Sequence, residues 1–514
     1  MNNDINLINA HVITLNKDIP FANSLTIKNN IISAIDNIDN SLKTIDLKGA
    51  FLYPGFCDSH FHLKNFGKRS EMLDLKGINN INTVVKNIYN KSKSLKPGNW
   101  IIGFGWDQNL WPNAALPNSK ILNEIQEYPI ALTRIDGHSM WVNKTAIKIA
   151  EESYESLNEI KGGQIVNDCI LIDNAMDPIR KKLPGDNSIN ISKWIKNAAN
   201  FAARMGLTAV HDAWQDELII NSIIELINKN KFPIRCYGMV GSSHINLLNK
   251  YFYNGHYNSP LYNIRAVKAF IDGALGSRGA ALKKPYNDDA NNCGLILISK
   301  DEFEKLAYKC SENNFQLCTH AIGDRGNQMV LDIYSKYTKD KDLRWRIEHA
   351  QMVSEEDTYK FKDYNILPSM QPSHCTSDMK WVEKRIGEER TKLISKWKTF
   401  LDMGIPIPGG SDCPIEDGNP LFEIFAAVTR KDHNGWPENG WHPEECVDRI
   451  SALKMFTQWG AYGSFSEHQR GIIKIGYDAD ITILSNDLTT CSEQDILNTE
   501  VIMTIVNGKI VYQN

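Results

Sequence analysis

Short apolar segments alternate with longer amphipathic segments through the middle of the chain. The apolar segments are rich in β-branched residues and flanked by turn residues, which predicts buried strands. Amphipathic patterns typical of helices, such as ISKWIKNAANFAARMG and DEFEKLAYKCSENN, lie between most of them. This alternation predicts an α/β fold with a parallel sheet, and eight repeats predict closure into a (β/α)₈ TIM barrel. The predicted strands are 55–62, 207–214, 233–240, 264–272, 315–322, 344–351, 366–373 and 406–413.

The two ends of the chain have a different pattern, with short β-branched runs separated by turn residues. The N-terminal runs include INLINAHVITL and SLTIKNNIISAID, and the C-terminal ones RGIIKIGYDADITILS and VIMTIVNGKIVYQN. Asn507-Gly508 is a strong hairpin signal. Residues 1–54 and 465–514 are therefore predicted to form one composite β-sandwich domain, and residues 55–464 the barrel domain.

Residues 64–190 do not fit a single strand-helix repeat. They contain strand-like segments of their own, such as WIIGFGWDQ, and a helical pattern, INTVVKNIYNKSKSL. We interpret this stretch as an insertion after barrel strand 1. Long barrel loops usually act at the active-site mouth, so we expect the insertion to cover it.

Composition narrows the class of protein. Of 514 residues, 42% are hydrophobic and 23% charged, which is typical of a globular protein with a large core. The formal net charge of −4 argues against nucleic acid as a partner. No apolar run reaches the roughly 18 residues of a membrane span, and the N-terminus lacks the features of a signal peptide. Ten cysteines without a CxxC pair favour reduced thiols and a cytoplasmic location.

The strongest local signal for chemistry is Asp58-Ser59-His60-Phe61-His62. Residues two apart in a strand face the same side, so Asp58, His60 and His62 project together. Imidazole nitrogens suit Zn²⁺ and similar metals. An HxH sequence alone is also compatible with two packed or surface histidines.

Other chemistry-bearing residues end the predicted barrel strands. His320 ends strand 5, His349 ends strand 6, Asp412 ends strand 8, and Lys268 lies in strand 4. Catalytic groups of barrels come from the carboxyl ends of several strands. A buried lysine without a partner is also costly. Their joint placement favours one functional site over separate packing roles.

The order HxH, Lys, His, His, Asp resembles the amidohydrolase superfamily. GFCDSHFH resembles its strand-1 motif. KAFIDGALGSRGAAL, CTHAIGDRG, RIEHAQ and GGSDCP resemble the amidohydrolase 3, or YtcJ-like, subgroup, which includes N-substituted formamide deformylases. The resemblance spans nearly the whole chain, from YPGF near the N-terminus to GYDADITIL near the C-terminus.

The resemblance implies a site for two divalent metal ions. It assigns His60, His62 and Asp412 to the more buried ion, and His320 and His349 to the second. Nitrogen-rich ligands favour Zn²⁺, but ligand type alone leaves Fe²⁺, Mn²⁺ and Co²⁺ open.

The resemblance also implies that Lys268 bridges the two ions as a carbamate formed with CO₂. The expected reaction is hydrolysis of a non-peptide C–N bond, such as an amide, formamide or N-acyl bond, in a small molecule. A metal-bridging hydroxide would attack the carbonyl, and Asp412 would pass a proton to the leaving nitrogen.

Weaker candidates lie in the insertion or close to the ends of barrel strands. Each also has a structural alternative: packing for the aromatic residues and His211, and loop ion pairs for the arginines. His374, after strand 7, is open to the same two interpretations. The candidates for substrate binding are His138, Trp106, Asp107, His211, Arg278 and Arg325.

Two other functions remain open. One is a deaminase or an ester or lactone hydrolase on the same scaffold. Related deaminases lack the strand-4 lysine and place a glutamate near the strand-5 histidine, whereas His320 is flanked here by Thr319 and Ala321. The other is a catalytically dead binding or regulatory protein, which should have lost ligand positions. A homodimer is compatible with a barrel of this size, but the sequence identifies no interface.

Overall fold

The computed structural model describes residues 4–152 and 160–514. Residues 1–3 of the predicted β-sandwich and 153–159 of the predicted insertion lie outside the described residues. The chain divides into two compact units, Met1–Leu63 with Ile195–Asn514, and Lys64–Trp194. The division falls within the helices Leu63–Ser70 and Ser188–Arg204.

A parallel barrel sheet forms the centre of the larger unit, and seven of the predicted strands are present in it. Each strand pairs in parallel with the next along the chain, as strand-helix repeats require. A short strand, Tyr257–Asn258, adds antiparallel pairing to the fourth. The seven strands are Phe56–Phe61, Leu207–Gln215, Arg235–Gly241, Tyr262–Phe270, Gln316–Ala321, Arg346–His349 and Leu367–Ser369.

The predicted eighth strand at 406–413 is present only as a bridging segment and not as a regular strand. This segment makes only two parallel bridges, from Gly409 to Met370 and from Cys413 to Phe61. Pro406 and Pro408 have no N–H to donate, which prevents a continuous ladder. The two bridges still link the segment to the seventh strand on one side and to the first on the other.

Helices connect the barrel strands, and local sequence signals set their ends. Lys300–Glu312, for example, begins with a capping box in which Ser299 and Glu302 satisfy each other's backbone N–H. A short 3₁₀ helix covers Pro443–Glu445. The α-helices of the larger unit after Ser188–Arg204 are Glu217–Asn228, Ile245–Asn254, Lys300–Glu312, Asp324–Thr338, Glu355–Asp363, Pro372–Asp378, Val382–Ile386, Glu388–Thr391, Trp397–Asp402, Pro420–Thr429, Arg449–Met455, Gln458–Gly463 and Glu493–Leu497.

Strands from both chain ends form two further sheets in the larger unit. The six-stranded sheet runs in the order Lys509–Gln513, Val501–Val506, Ile481–Leu484, Phe51–Pro54, His11–Ile13 and Phe21–Ala22. The four-stranded sheet runs in the order Ile31–Ile35, Leu25–Lys28, Ile5–Ile8 and Lys43–Asp46. One hydrophobic core contains residues of both sheets. The predicted hairpin at Asn507-Gly508 is confirmed, with φ of 51° and 70° at the two turn residues.

The smaller unit has a sheet and hydrophobic cores of its own. Its strands run in the order Gly163–Val166, Ile170–Asp173, Ser139–Val142, Ile130–Arg134, Ile101–Trp106 and Leu73–Asp74. Its helices are Ile81–Ser92, Ser119–Leu122, Lys144–Glu151 and Asp177–Lys182, with 3₁₀ turns at Gln108–Leu110 and Asn174–Met176. Coverage of the barrel mouth by this unit stays a prediction. Within residues 4–152 and 160–514, no helix has the length and apolar character needed to cross a membrane.

Candidate metal centre

The first barrel strand brings His60 to the interior and His62 to its carboxyl end. His60 is 1% exposed, while the His62 side chain is 18% exposed. Strand alternation predicted that Asp58 projects together with His60 and His62. Its carboxylate instead accepts hydrogen bonds from Ser411 Oγ at 2.5 Å and from His60 N at 3.0 Å. Burial raises the pKa of Asp58 to about 7. Asp58 thus ties the first strand to segment 406–413.

Asp412 reaches the two histidines because its segment packs closely against the first strand. A Cβ on Gly410 would lie 2.5 Å from His60 N, so only glycine fits at this position. Asp412 N donates to His60 O at 2.7 Å. Asp412 Oδ1 then lies 2.9 Å from His62 Nε2 and 3.5 Å from His60 Nε2.

His349 and His320 enter the same space from the sixth and fifth strands. The ring centroid of His349 lies 4.9 Å from that of His60 and 4.6 Å from that of His320. Lys268 is fully buried, with Nζ 3.4 Å from His60 Nε2. Potential ligand atoms of His60, His349 and Asp412 all lie within 4.8 Å of one another. The structure therefore brings the six predicted ligand residues into one neighbourhood.

Electrostatics favour the neutral form of His60, His320 and His349 and the ionised form of Asp412, as a divalent metal requires. Burial, followed by the Lys268 charge, lowers the pKa of His60 to about 4 and that of His320 to about 3. Burial and then His320 hold the pKa of His349 well below its usual range. Burial alone would raise the pKa of Asp412, but the charge of His60 and the hydrogen bond from His62 hold it well below the usual range. Neutral imidazoles beside a carboxylate are a donor set that fits Zn²⁺.

Buried polar residues that the sequence did not single out support the histidines. Glu348 is fully buried, and its Oε2 lies 2.5 Å from His60 Nδ1. Gln371 Oε1 lies 2.7 Å from His349 Nδ1, and Asp272 Oδ1 lies 3.6 Å from His320 Nε2. The signal for Glu348 was present in Arg346-x-Glu348, where two charged residues alternate with an apolar one on a buried strand.

The profile of the amidohydrolase family matches residues 43–512. This chain belongs to the amidohydrolase family. It is 31% identical over 484 residues to YtcJ of Bacillus subtilis, a proposed amidohydrolase, covering 91% of this chain and 90% of YtcJ. It is 22% identical to the N-substituted formamide deformylase of Arthrobacter pascens, covering 99% and 98% of the two chains. The crystal structure of a metal-dependent hydrolase from Pyrococcus furiosus matches with a TM-score of 0.79 at 26% identity, covering 95% of this chain and 100% of that one.

The surroundings of His211, a candidate for substrate binding in this amidohydrolase, fit its alternative role in packing. The second strand extends to Gln215, so His211 lies mid-strand instead of at its end. His211 is 1% exposed, with Nδ1 2.8 Å from Arg346 Nη1 and Nε2 3.4 Å from Cys57 Sγ. It is a packed residue of the barrel interior.

The two candidate arginines, Arg278 and Arg325, contact loops of the amidohydrolase barrel. Arg278 makes a two-pronged ion pair with Asp288 at 2.9 and 3.0 Å. Arg325 Nη2 lies 3.3 Å from the carbonyl oxygens of Cys293 and Gly294. These contacts favour the loop role for both side chains, and a substrate role for them stays a prediction.

The three candidates in the smaller unit have different surroundings. Trp106 is fully buried in a hydrophobic core, and its indole N–H donates to Leu132 O at 2.8 Å, so its assignment to a pocket wall is corrected to a packing role. Asp107 accepts from Arg134 Nη2 at 3.0 Å. His138 is 76% exposed, with Nδ1 2.9 Å from Asp173 Oδ1. Substrate contacts by Asp107 and His138 stay predictions.

His374 borders the centre from the helix that follows the seventh strand. Its ring stacks on that of His349, with centroids 5.7 Å apart and planes inclined by 15°. Its Nε2 lies 3.9 Å from Asp412 Oδ2. His374 is therefore positioned beside the space in which the ligand atoms converge.

Proposed function

We propose that this protein is a metal-dependent hydrolase that cleaves a non-peptide C–N bond in a small amide-like molecule. The observation that carries the proposal is the convergence of His60, His349 and Asp412 within 4.8 Å inside a barrel of the amidohydrolase family. The similarity to an N-substituted formamide deformylase supports formamides and N-acyl compounds as the substrate class.

The metal ligands would be shared between two ions, with Zn²⁺ as the preferred metal. His60, His62 and Asp412 would hold one ion, and His320 and His349 the other. When bound, divalent ions at such a site supply Lewis acidity, which lowers the pKa of water and polarises a carbonyl. The neutral state of the buried histidines and the charge of Asp412 support this assignment.

Lys268 would become the bridging ligand after reaction with CO₂. Its neutral amine attacks the carbon of CO₂, a C–N bond forms, one proton is released and a carbamate with two oxygens results. The reaction needs an uncharged amine, and burial lowers the pKa of Lys268 although Glu348 and Asp412 oppose the shift.

Asp412 would carry the proton during hydrolysis. The pKa of its carboxyl group is held well below the usual range, so the carboxylate can accept a proton from the attacking water. It would then deliver that proton to the leaving nitrogen. Protonation matters because an amine anion is a very poor leaving group.

The decisive experiment is elemental analysis of protein purified without chelator from zinc-supplemented cells. We expect about two metal ions per chain, falling toward one or none in Lys268→Ala. Lys396→Ala is the matched control, because Lys396 is also buried but donates to Thr358 Oγ1 at 3.2 Å instead of facing the histidines. A folded protein without bound metal, or a Lys268→Ala variant with full metal content and activity, would contradict the proposal.

A substrate panel then tests the reaction class. N-substituted formamides and N-acyl amines should be hydrolysed with release of the acid and the amine. Esters and lactones of matched acyl groups, and aminated heterocycles, serve as comparison substrates. Faster turnover of the esters, or ammonia release from the heterocycles, would contradict cleavage of a C–N amide bond as the main activity.

We also propose that the protein acts in the cytoplasm, either alone or as a homodimer, with the small-molecule substrate as its ligand. None of the ten cysteines, all of which lie in the described residues, forms a disulfide, which supports a reducing compartment.

A further inference from the structure

Two neighbouring histidines of the candidate metal centre have hydrogen-bond partners of different charge on the side of the ring away from the other ligand residues. His60 Nδ1 lies 2.5 Å from Glu348 Oε2, a carboxylate oxygen. His349 Nδ1 lies 2.7 Å from Gln371 Oε1, a neutral amide oxygen. Gln371 Nε2 lies 3.3 Å from Ser369 O, which orients the amide so that its oxygen faces His349. In both rings Nδ1–H donates outward, and the Nε2 lone pair remains available to a metal.

Glu348 is held in place by Arg346, and both side chains are fully buried. Arg346 Nε lies 2.7 Å from Glu348 Oε1, and Arg346 Nη2 lies 3.0 Å from Glu348 Oε2. Arg346 also makes hydrogen bonds to three further partners, which hold its guanidinium group in place. These partners are Ser59 O at 2.6 Å, His211 Nδ1 at 2.8 Å and Ser369 Oγ at 2.9 Å.

A carboxylate that accepts the N–H of an imidazole polarises the ring and strengthens the opposite nitrogen as a metal donor. A neutral amide fixes the orientation of the ring in the same way but polarises it less. We propose that Glu348, oriented by Arg346, is a positioning residue that makes His60 the stronger metal donor, whereas Gln371 leaves His349 the weaker one. This inference rests on the proposed function, since it concerns the strength of the same metal site.

A purely structural role is the competing interpretation of the Arg346–Glu348 pair. Buried charge pairs stabilise a fold through mutual compensation, and losing one partner would then lower stability without a specific effect on metal binding. The charge difference between Glu348 and Gln371 separates the two interpretations. If the carboxylate strengthens the metal donor, removing it at position 348 should weaken Zn²⁺ binding, and adding one at position 371 should strengthen it.

The test measures Zn²⁺ affinity of metal-free protein by competition with a chromogenic chelator. We expect Glu348→Gln to bind the tightest Zn²⁺ about 10–100-fold more weakly, and Gln371→Glu to bind Zn²⁺ more tightly than the unsubstituted protein. Glu423→Gln is the matched control, because Glu423 is a buried glutamate whose Oε2 accepts from Ser373 N at 2.9 Å, and its Zn²⁺ affinity should not change. The melting temperature of each metal-free variant reports stability separately.

The outcomes are distinguishable. If Glu348→Gln and Gln371→Glu bind Zn²⁺ as tightly as the unsubstituted protein, the positioning role is wrong and the proposed function stands. If the unsubstituted protein binds no Zn²⁺, both fail. If Glu348→Gln does not fold, Gln371→Glu decides alone: tighter binding supports the inference, and unchanged or weaker binding overturns it.

Discussion

Two residues of the metal centre have backbone conformations that non-glycine residues rarely adopt. His349 has φ of 73° and Asp412 has φ of 56°, both in the left-handed region. Such conformations cost of order 1–3 kcal/mol and persist where the surroundings enforce them. The hydrogen bond from Asp412 N to His60 O, at 2.7 Å, is one such constraint. Both side chains lie among the candidate ligand residues.

Replacing Asp412 by Asn separates its charge from its shape. Asn keeps the side-chain volume and tolerates a left-handed φ, but it cannot take up the proton. We expect kcat to fall by about 10²–10⁴-fold on the best substrate at saturating zinc, with little change in melting temperature. Asp417→Asn, on the same loop but exposed, is the control and should keep full activity. Equal turnover by the two variants would refute a proton-transfer role for Asp412.

The sequence indicated the six residues that converge in the candidate metal centre but not the partners that support them. His60 and His62 follow from strand alternation, and His320 and Asp412 from their positions at strand ends. Glu348 was missed because alternation places it on the opposite face from His349. The positive φ of His349 breaks that alternation, so Glu348 points into the barrel while its neighbour also reaches the centre. The charged residues of Arg346-x-Glu348 were a signal for Glu348, but the backbone reversal that brings both Glu348 and His349 to the centre has no signal in the hydrophobic pattern.

At the scale of elements, the eighth barrel segment departs most from its prediction. Its proline residues prevent a regular ladder, and Gly409 N donates to Met455 O at 2.9 Å. The next N–H groups do reach the flanking strands, from Gly410 N to Met370 O at 3.0 Å and from Asp412 N to His60 O at 2.7 Å. The apolar character of the segment correctly indicated burial. Hydrogen-bond partners depend on distant residues, however, and could not be predicted from the segment itself.

The close approach of this segment to the first strand makes Gly410 a sensitive position. In Gly410→Ala the new Cβ would meet His60 N at 2.5 Å and Asp58 Oδ1 at 2.9 Å, so the segment must move away from the strand. We expect a loss of about 1–3 kcal/mol in the free energy of unfolding and a lower metal content, because Asp412 moves with the segment.

Thermal unfolding and elemental analysis of the same samples check this expectation. Gly185→Ala is the control, since a Cβ there would meet no atom within 4 Å and Gly185 is not in the left-handed region. A Gly410→Ala protein as stable and as metal-rich as Gly185→Ala would show that the segment does not depend on this contact.

For the whole molecule, a buried ion pair connects the barrel to the C-terminal segment. Arg235, at the start of the third barrel strand, makes two hydrogen bonds to Asp480, at 2.6 and 3.0 Å. Asp480 also accepts from Asn507 N, in the C-terminal hairpin turn, at 2.8 Å. The β-rich ends of the sequence indicated a shared sheet. The Arg235–Asp480 ion pair joins the C-terminal segment to the barrel across more than two hundred positions of sequence. No local sequence pattern predicts it.

Asp480 and its neighbour Asp478 should respond oppositely to acid. Burial raises the pKa of Asp480, but the Arg235 charge and hydrogen bonds outweigh it and hold the pKa below its ordinary value. Its stabilising effect is therefore present above the unfolded pKa, near 3.9, and is lost as pH falls through the folded pKa. Burial raises the pKa of Asp478 above its ordinary value despite Arg235 and Arg470, so stability linked to Asp478 is present at low pH and is lost as pH rises.

Urea unfolding of Asp480→Asn and Asp478→Asn between about pH 7 and pH 3.5 tests these signs. At neutral pH we expect Asp480→Asn to lose about 3 kcal/mol, because it leaves Arg235 buried with a weakened partner. The stability difference from the unsubstituted protein should shrink as the pH falls for Asp480→Asn. For Asp478→Asn, the unsubstituted protein should instead gain stability relative to the variant on acidification. Parallel pH profiles for the two variants would mean that the Arg235–Asp480 contact does not control the acid stability of the junction between the barrel and the C-terminal segment.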